Sequence, residues 1–208
     1  ELPECDGVLG LGANGDIVEA VRRVMGGEKT VRFPAKDCWS LEGDRLQTTP
    51  SFFAYLRIGD GCNNCCTYCA IPSIRGRLRS RPMESLLAEA EKELILVAQD
   101  TTLYGTDLYG EARLPQLLRG LCGIEGIRWI RLLYCYPEHI TDELLDVMAA
   151  EDKVLNYMDI PIQHASDRIL RRMGRRTHKA ELKERISTLR REIPDIALRT
   201  TFICGFPG

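Results

Sequence analysis

The chain has 208 residues, of which 44% are hydrophobic, and its formal net charge is −2 at pH 7. This composition supports one large domain with a real core, and the near-zero charge excludes a chain-wide basic surface for nucleic acid. No run of about 18 apolar residues occurs, so we expect no membrane span, and the polar, acidic opening does not resemble a signal peptide. Nine cysteines, an odd number, favour a reducing, cytoplasmic setting over a disulfide framework.

The sequence pattern of residues 1–27 predicts a small αβ unit. Residues 8–10 are apolar and short enough for a strand, and residues 16–25 have the apolar period of a helix that a pair of glycines ends. One strand and one helix bury too little surface to stand alone, so we interpret this unit as the tail of a larger domain. Residues 28–50 contain prolines and glycines and predict a partly extended linker.

Residues 51–208 alternate apolar strands with amphipathic helices, which predicts a parallel α/β sheet. The predicted strands are residues 52–58, 94–98, 129–134, 154–160 and 196–203. The first predicted helix begins at Pro82. Three more cover residues 114–122, 142–150 and 167–173, and a longer helix follows them and ends before Pro194. Thr141 and Ser166 stand before two of these helices, where a hydroxyl can cap the first turn. Five strands are too few for an eight-stranded barrel.

A cysteine-rich loop follows the first of these strands. Cys62, Cys66 and Cys69 have the spacing C-x3-C-x2-C, and Cys65 falls outside it. A four-iron cluster normally takes four thiolates, so three on one loop would leave one iron free for a small chelator. The order of strand, cysteine loop and helix places this centre at the carboxyl end of a strand, where α/β barrels carry their chemistry.

Two other interpretations of the loop stay open. The three thiolates and a distant fourth ligand could form a structural zinc site, and the chain would then be a non-enzymatic zinc-binding module. Unliganded cysteines fit the pattern less well, because four thiols within eight residues are prone to oxidation.

The cysteine loop resembles the signature of the radical S-adenosylmethionine (SAM) enzymes. In that family the amino and carboxylate groups of SAM chelate the free iron, and one electron from the cluster splits the sulfonium to give a 5′-deoxyadenosyl radical. The resemblance implies a [4Fe–4S] cluster on Cys62, Cys66 and Cys69, with SAM as the second cofactor. It also implies a partial open (β/α)6 barrel, preceded by the tail of a small αβ domain.

Three further segments are similar to the methylthiotransferase branch of this family. They are residues 93–105 (ELILVAQDTTLYG), 133–140 (LYCYPEHI) and 159–166 (DIPIQHAS). The Gln-Asp-Thr and Gln-His-Ala-Ser sequences within them favour the enzymes that methylthiolate the β-carbon of an aspartate on a small-subunit ribosomal protein. The sister enzymes that methylthiolate adenosine in tRNA are the alternative.

The resemblance and the strand-end positions together indicate a SAM site formed by Tyr68, Gln99, Thr101, Gln163 and Gly205. Gln and Thr can hold the ribose, the adenine edge and the carboxylate of SAM while they remain uncharged. Gly205 would let the backbone approach the adenine closely. Each of these residues could equally serve as a strand-end or capping residue.

Asp100 and His164 are the candidates for a catalytic group beyond the cofactors. His164 could act as a general base, although a histidine beside a helix start is more often structural. Asp100 could bind a substrate group or cap the following turn.

Two arginine-rich stretches have less definite roles. Arginines alternate from residue 75 to residue 81, which fits either a solvated extended segment or contact with SAM or substrate. Five more lie between residues 168 and 176, where we favour a charged outer helix face over a docking patch for a phosphate-rich partner.

The resemblance covers essentially the whole chain, but this sequence departs from the family's pattern in three places. In the family a second [4Fe–4S] cluster is held by three cysteines of the N-terminal domain, and Cys5 and Cys38 do not match them. The chain stops where the family continues into a sixth strand and a small β-domain, and the connection near residue 91 is short for a parallel crossover. We therefore expect a fragment that binds and cleaves SAM without completing turnover.

The resemblance also implies partners. These are a ribosomal protein as substrate and an electron donor such as flavodoxin or ferredoxin. We expect a monomer that does not associate with membranes.

Overall fold

The computed structural model of the chain describes residues 4–37, 39–43, 46–90 and 93–208. Cys38 and the short connection at residues 91 and 92 therefore lie outside the described residues. Within those ranges no helix has the length and apolar character needed to cross a bilayer.

The N-terminal unit is a pair of parallel strands with a helix between them. Strand β1 (Gly7–Leu9) pairs with β2 (Thr30–Arg32), and helix α1 (Ile17–Met25) forms the crossover. A 3-10 turn, Leu11–Asp16, leads into α1. Strand β2 lies within the stretch that the sequence predicts to be a linker, and it completes a βαβ unit.

The remaining strands and helices alternate along the chain. In order they are β3 (Ala54–Arg57), β4 (Gly59–Asp60), α2 (Ile71–Arg75), β5 (Arg79–Ser80), α3 (Met83–Glu89), β6 (Glu93–Val97), α4 (Thr106–Tyr109), α5 (Leu114–Cys122), β7 (Trp129–Leu132), α6 (Asp142–Ala150), β8 (Val154–Asp159), α7 (Asp167–Arg172), α8 (Lys179–Glu192) and β9 (Ala197–Arg199). Short 3-10 helices follow β6 and β7, at Thr101–Leu103 and Pro137–His139.

The central sheet contains five parallel strands in the spatial order β3-β6-β7-β8-β9. The five strands follow one another across the sheet in chain order, with β4 and β5 inserted between β3 and β6 as a separate small sheet. Each connection is a crossover, and all five strands end at the same edge of the sheet. The side chains of Leu56, Leu96, Ile130, Leu132 and Met158 are fully buried. In β3 and β7 the buried residues alternate with partly or fully exposed ones, so one face of the sheet is covered more completely than the other. The predicted parallel α/β sheet is confirmed.

Helices α5 and α6 cover one face of the sheet and have the bounds that the sequence predicts. Leu117, Leu118 and Leu121 of α5 are fully buried, and Leu144 and Leu145 of α6 are nearly so. Burying one such side chain stabilises the fold by about 1.5–3 kcal/mol. This packing holds the sheet in place and so positions the residues at the ends of its strands.

Two local predictions change in detail. For the stretch of alternating arginines, the alternative of a solvated extended segment is excluded, because β5 pairs in antiparallel register with β4 and Arg81 is buried in an ion pair with Glu89. The alternative of contact with SAM or substrate stays a prediction. Strand β9 is also shorter than predicted, and beyond it only a single bridge joins Phe202 to Gln163. Two-residue strands have too few positions to show an alternating pattern.

The two predicted helix caps behave differently. The hydroxyl of Thr141 accepts a hydrogen bond from the amide of Leu144 at 3.2 Å, which caps α6. Ser166 stands at the corresponding position of α7, but its side chain makes no capping bond. Its backbone amide instead donates to Nδ1 of His164 at 3.0 Å.

We expect Thr141→Ala to lower the free energy of unfolding by about 1 kcal/mol, because the amide at the start of α6 loses its acceptor. Ser166→Ala is the matched control and should leave this free energy nearly unchanged. Urea denaturation followed by circular dichroism measures both. Equal losses would show that the hydroxyl of Thr141 does not stabilise α6.

Candidate functional site

A cavity of about 620 Å³ opens at the edge where the parallel strands end. Its walls come from residues 61–70, called here the cysteine loop, and from the segments that follow β6, β7, β8 and β9. A smaller cavity of about 540 Å³ lies beside the residues that precede β3 and β7, and no cysteine lines it. The strand-end cavity is therefore the place to examine for chemistry.

Three of the four thiols in the cysteine loop face this cavity. Cys62, Cys66 and Cys69 line it, whereas Cys65 is exposed outside it and its thiol points to the carbonyl of Asn63. Burial raises the pKa of the Cys62 thiol. The structure thus separates the cysteines in the way that the C-x3-C-x2-C spacing predicts.

Backbone contacts on both sides fix the path of the cysteine loop. The amide of Cys62 donates to the carbonyl of Gly76 at 3.1 Å, and the amide of Thr67 donates to the carbonyl of Met173 at 2.9 Å. Gly61 begins the loop with φ +78°, and a Cβ atom there would overlap the carbonyl of Arg77. Only glycine meets both requirements without strain.

The buried carboxylate of Asp100 ties the cysteine loop to the end of β6. Its Oδ2 accepts hydrogen bonds from Nδ2 of Asn64 at 3.0 Å and contacts Nδ1 of His139 at 3.0 Å. Its Oδ1 accepts from the hydroxyl of Thr102. A carboxylate with 2% of its surface exposed needs such partners. Asp100 does not line the cavity, and its oxygens are occupied within the protein.

The cofactor residues predicted from the sequence divide into two groups. Tyr68, Gln99 and Gln163 line the cavity, while Thr101 and Gly205 do not. Thr101 is fully buried and donates to the carbonyl of Leu133 at 2.8 Å. The strand-end position identifies the right edge of the sheet, but it does not determine which way each side chain points.

His164 also lies outside the cavity lining. Its Nδ1 accepts a hydrogen bond from the amide of Ser166, which is the structural role that the sequence left open. The other two cysteines of the strand-end segments do not line the cavity either; Cys204 is exposed and Cys135 is fully buried. Burial raises the pKa of the Cys135 thiol to about 12.

The cavity has a cationic lining. Arg57, Arg75 and Arg175 contribute to it, and no aspartate or glutamate is found among the described residues that form its walls. Arg75 pairs with the fully buried Asp60, their nearest atoms being 2.9 Å apart. Such a lining suits a ligand that carries a carboxylate.

Two unsatisfied polar atoms add to this picture. Within the described part of the chain, the buried Oε1 of Gln99 and the buried Nε of Arg175 have no hydrogen-bond partner. Buried polar atoms are normally paired, so unpaired ones beside a cavity indicate where a ligand binds.

Arg175, Tyr134 and Tyr136 line the cavity but were not among the site residues predicted from the sequence. Arg175 was interpreted as part of a charged outer helix face, which is wrong because only 6% of its surface is exposed. Gly174, with φ +70°, turns the chain after α7 and sends Arg175 inward. A glycine between the arginines was the signal that they do not share one helix face.

The donor set fits an iron–sulfur cluster. Cys62, Cys66 and Cys69 border one cavity, and cysteine thiolates are the ligands that normally hold a four-iron cluster.

Comparisons with known proteins agree with this geometry. The family model described as the radical SAM superfamily matches residues 56–208. The chain is 55% identical to the ribosomal protein uS12 methylthiotransferase RimO of Lachnoclostridium phytofermentans and 54% identical to that of Moorella thermoacetica. Both alignments cover 100% of this chain but only 49% and 50% of those proteins, so the chain spans about half the length of the curated relatives it matches.

Solved structures show the same fold. One is the radical S-adenosylmethionine methyltransferase TsrM from Kitasatospora setae, solved with cobalamin and a [4Fe-4S] cluster, with a TM-score of 0.59 and 19% identity over 75% of this chain and 32% of that chain. Another is the cobalamin-dependent S-adenosylmethionine radical enzyme OxsB, with a TM-score of 0.55 and 16% identity over 72% and 23%. At these identities the likeness concerns the fold alone, and it confirms the predicted partial barrel.

We expect Gly61→Ala to lower the free energy of unfolding by about 3 kcal/mol or more, because a methyl group would add a clash with Arg77 to the cost of a positive φ. Gly110→Ala is the control, since Gly110 has the same φ of +78° but open space around it. Its loss should be about 1 kcal/mol. Urea denaturation of the metal-free protein under reducing conditions measures both, and equal losses would contradict the contact with Arg77.

Proposed function

Because the chain belongs to the radical SAM superfamily, we propose that Cys62, Cys66 and Cys69 bind a [4Fe–4S] cluster, with SAM in the adjoining cavity. The observation that carries this proposal is that these three cysteines of the loop border the cavity and Cys65 does not. When bound, the cluster supplies the single electron for reductive cleavage of SAM.

The residues around the cavity would hold and orient SAM. Arg175 offers a buried guanidinium whose Nη2 donates to the carbonyl of Pro161 at 3.1 Å and whose Nε is unpaired. We assign the carboxylate of SAM to this cation, because a charge-assisted hydrogen bond would satisfy Nε. Gln99 and Gln163 provide uncharged amides on the walls that follow β6 and β8.

Tyr68 and Asp100 would support the site in different ways. Burial, together with the nearby Cys66, raises the pKa of the Tyr68 hydroxyl, so this residue stays neutral. Asp100 holds Asn64, whose backbone amide donates to Sγ of Cys62 at 3.4 Å. We therefore propose a positioning role for Asp100.

We further propose that the longer protein containing this chain methylthiolates an aspartate of ribosomal protein uS12. The names and the 49–55% identity of the RimO relatives support this substrate over tRNA. An electron donor of the flavodoxin or ferredoxin class would reduce the cluster. A second [4Fe–4S] cluster would have its ligands outside the described residues, since Cys5 is the one cysteine described in the N-terminal unit.

The cluster assignment is tested by changing each loop cysteine to alanine. After anaerobic reconstitution with iron and sulfide, Cys62→Ala, Cys66→Ala and Cys69→Ala should each lose most of the cluster and the formation of 5′-deoxyadenosine from SAM. Cys65→Ala is the matched control and should retain both. Iron and acid-labile sulfide analysis, with electron paramagnetic resonance (EPR) spectra recorded with and without SAM, gives the readout. A zinc-only protein, or a cluster signal that ignores SAM, would refute the proposal.

The substrate is tested with the longer protein. Supplied with SAM, a sulfide source and a reductant, it should add one methylthio group to uS12, detected by mass spectrometry of the intact substrate. Changing the modified aspartate to alanine should abolish the mass increase. Modification of tRNA but not of uS12 would establish the alternative activity.

A further inference from the structure

The hydroxyl of Tyr136 lies 3.5 Å from Sγ of Cys66, within hydrogen-bonding distance for sulfur. Tyr136 follows β7 and lines the same cavity as the cysteine loop. A thiolate bound to iron carries no proton, so in the loaded protein the hydroxyl must be the donor. This contact therefore acts directly on a sulfur that the proposed function assigns to the cluster.

Tyr136 is held in place from several directions. Its side chain is nearly buried, and its backbone amide donates to the hydroxyl of Thr102 at 3.3 Å. The guanidinium of Arg175 lies 3.8 Å from the centre of its ring, and the ring of His139 stacks at 5.3 Å. A ring restrained in this way keeps its hydroxyl directed at Cys66.

The guanidinium of Arg175 also makes the hydroxyl of Tyr136 a stronger hydrogen-bond donor. A cation over the face of an aromatic ring attracts the π electrons, and this polarises the O–H bond. Because Arg175 is buried, little solvent lies between the two groups to weaken this effect. The pair forms a unit that presents a polarised O–H group to one cysteine.

We infer that Tyr136 raises the reduction potential of the cluster through its hydrogen bond to Cys66. The inference rests on the proposed function, since it requires the cluster to be bound. Reduction adds one electron and leaves more negative charge on the cluster sulfurs, so a donor stabilises the reduced state more than the oxidised state. No bond is broken, and the hydroxyl keeps its proton throughout.

The effect bears on which electron donors can serve this protein. A cluster with a higher potential is reduced by a weaker reductant, but it then transfers its electron to SAM with less driving force. Tyr136 would therefore set the balance between accepting the electron and passing it on to SAM.

The test is an anaerobic redox titration, followed by EPR, of the reconstituted protein and its Tyr136→Phe variant. Phenylalanine keeps the ring against Arg175 and removes only the donor. At the midpoint potential of the unaltered protein, the ratio of reduced to oxidised cluster should fall roughly three- to tenfold in the variant. A tenfold fall corresponds to about 59 mV for a one-electron couple.

Tyr134→Phe is the matched control. Tyr134 lines the same cavity two positions earlier, and no hydrogen bond from its hydroxyl to a cysteine is found in the described structure. The titration of this variant should coincide with that of the unaltered protein. A variant at position 136 with full iron and sulfide content and an unchanged midpoint would overturn the inference while leaving the cluster assignment intact.

A second replacement covers the case in which Tyr136→Phe does not load its cluster. Incorporation of 3-fluorotyrosine at position 136 keeps the ring and the hydroxyl but makes the hydroxyl a stronger donor, so the midpoint should move to higher potential. A midpoint that stays constant, or moves lower, would overturn the inference. Absence of any cluster in the unaltered protein would refute the proposed function itself.

Discussion

The site depends on the buried carboxylate of Asp100, which joins the cysteine loop to the sheet. The loop has few apolar side chains of its own, so packing alone cannot define its shape. Asp100 accepts hydrogen bonds from Asn64 on the loop and from Thr102 on its own segment after β6, and it contacts His139 on the segment after β7. Through these contacts the carboxylate fixes the position of the cysteine loop, and therefore of its thiols, relative to the ends of β6 and β7. Because the carboxylate is buried, breaking these hydrogen bonds would be costly.

The cysteine loop is fixed on its other side by the turn after α7. Thr67 bonds to the carbonyls of Met173 and Arg172, and Gly174 packs against the carbonyl of Cys65. The same turn delivers Arg175 to the cavity. The segment that supports the thiols therefore also supplies the cation beside them, which couples the position of the cluster ligands to that of the charge we assign to SAM binding.

Sequence patterns were informative where many residues share one period or one spacing. The bounds predicted for α5 and α6 agree with the structure, and for α6 they followed from the capping position of Thr141. The spacing of Cys62, Cys66 and Cys69 separated them from Cys65. Such patterns do not predict the direction of a single side chain. Thr101 and Gln99 therefore received the same role, although Thr101 is fully buried after β6 and Gln99 lines the cavity. The contact between Tyr136 and Cys66 joins residues 70 positions apart, and no local pattern reports it.

Strained backbone occurs at two points on the cavity wall. Tyr134 and Gln163 are the non-glycine residues with positive φ in the described structure, at +58° and +68°, and they follow adjacent strands. Each such conformation costs of the order of 1 kcal/mol or more, which the rest of the fold must offset. Glycine at either position would relieve this cost and stabilise the fold, but it would also remove a side chain from the wall of the cavity.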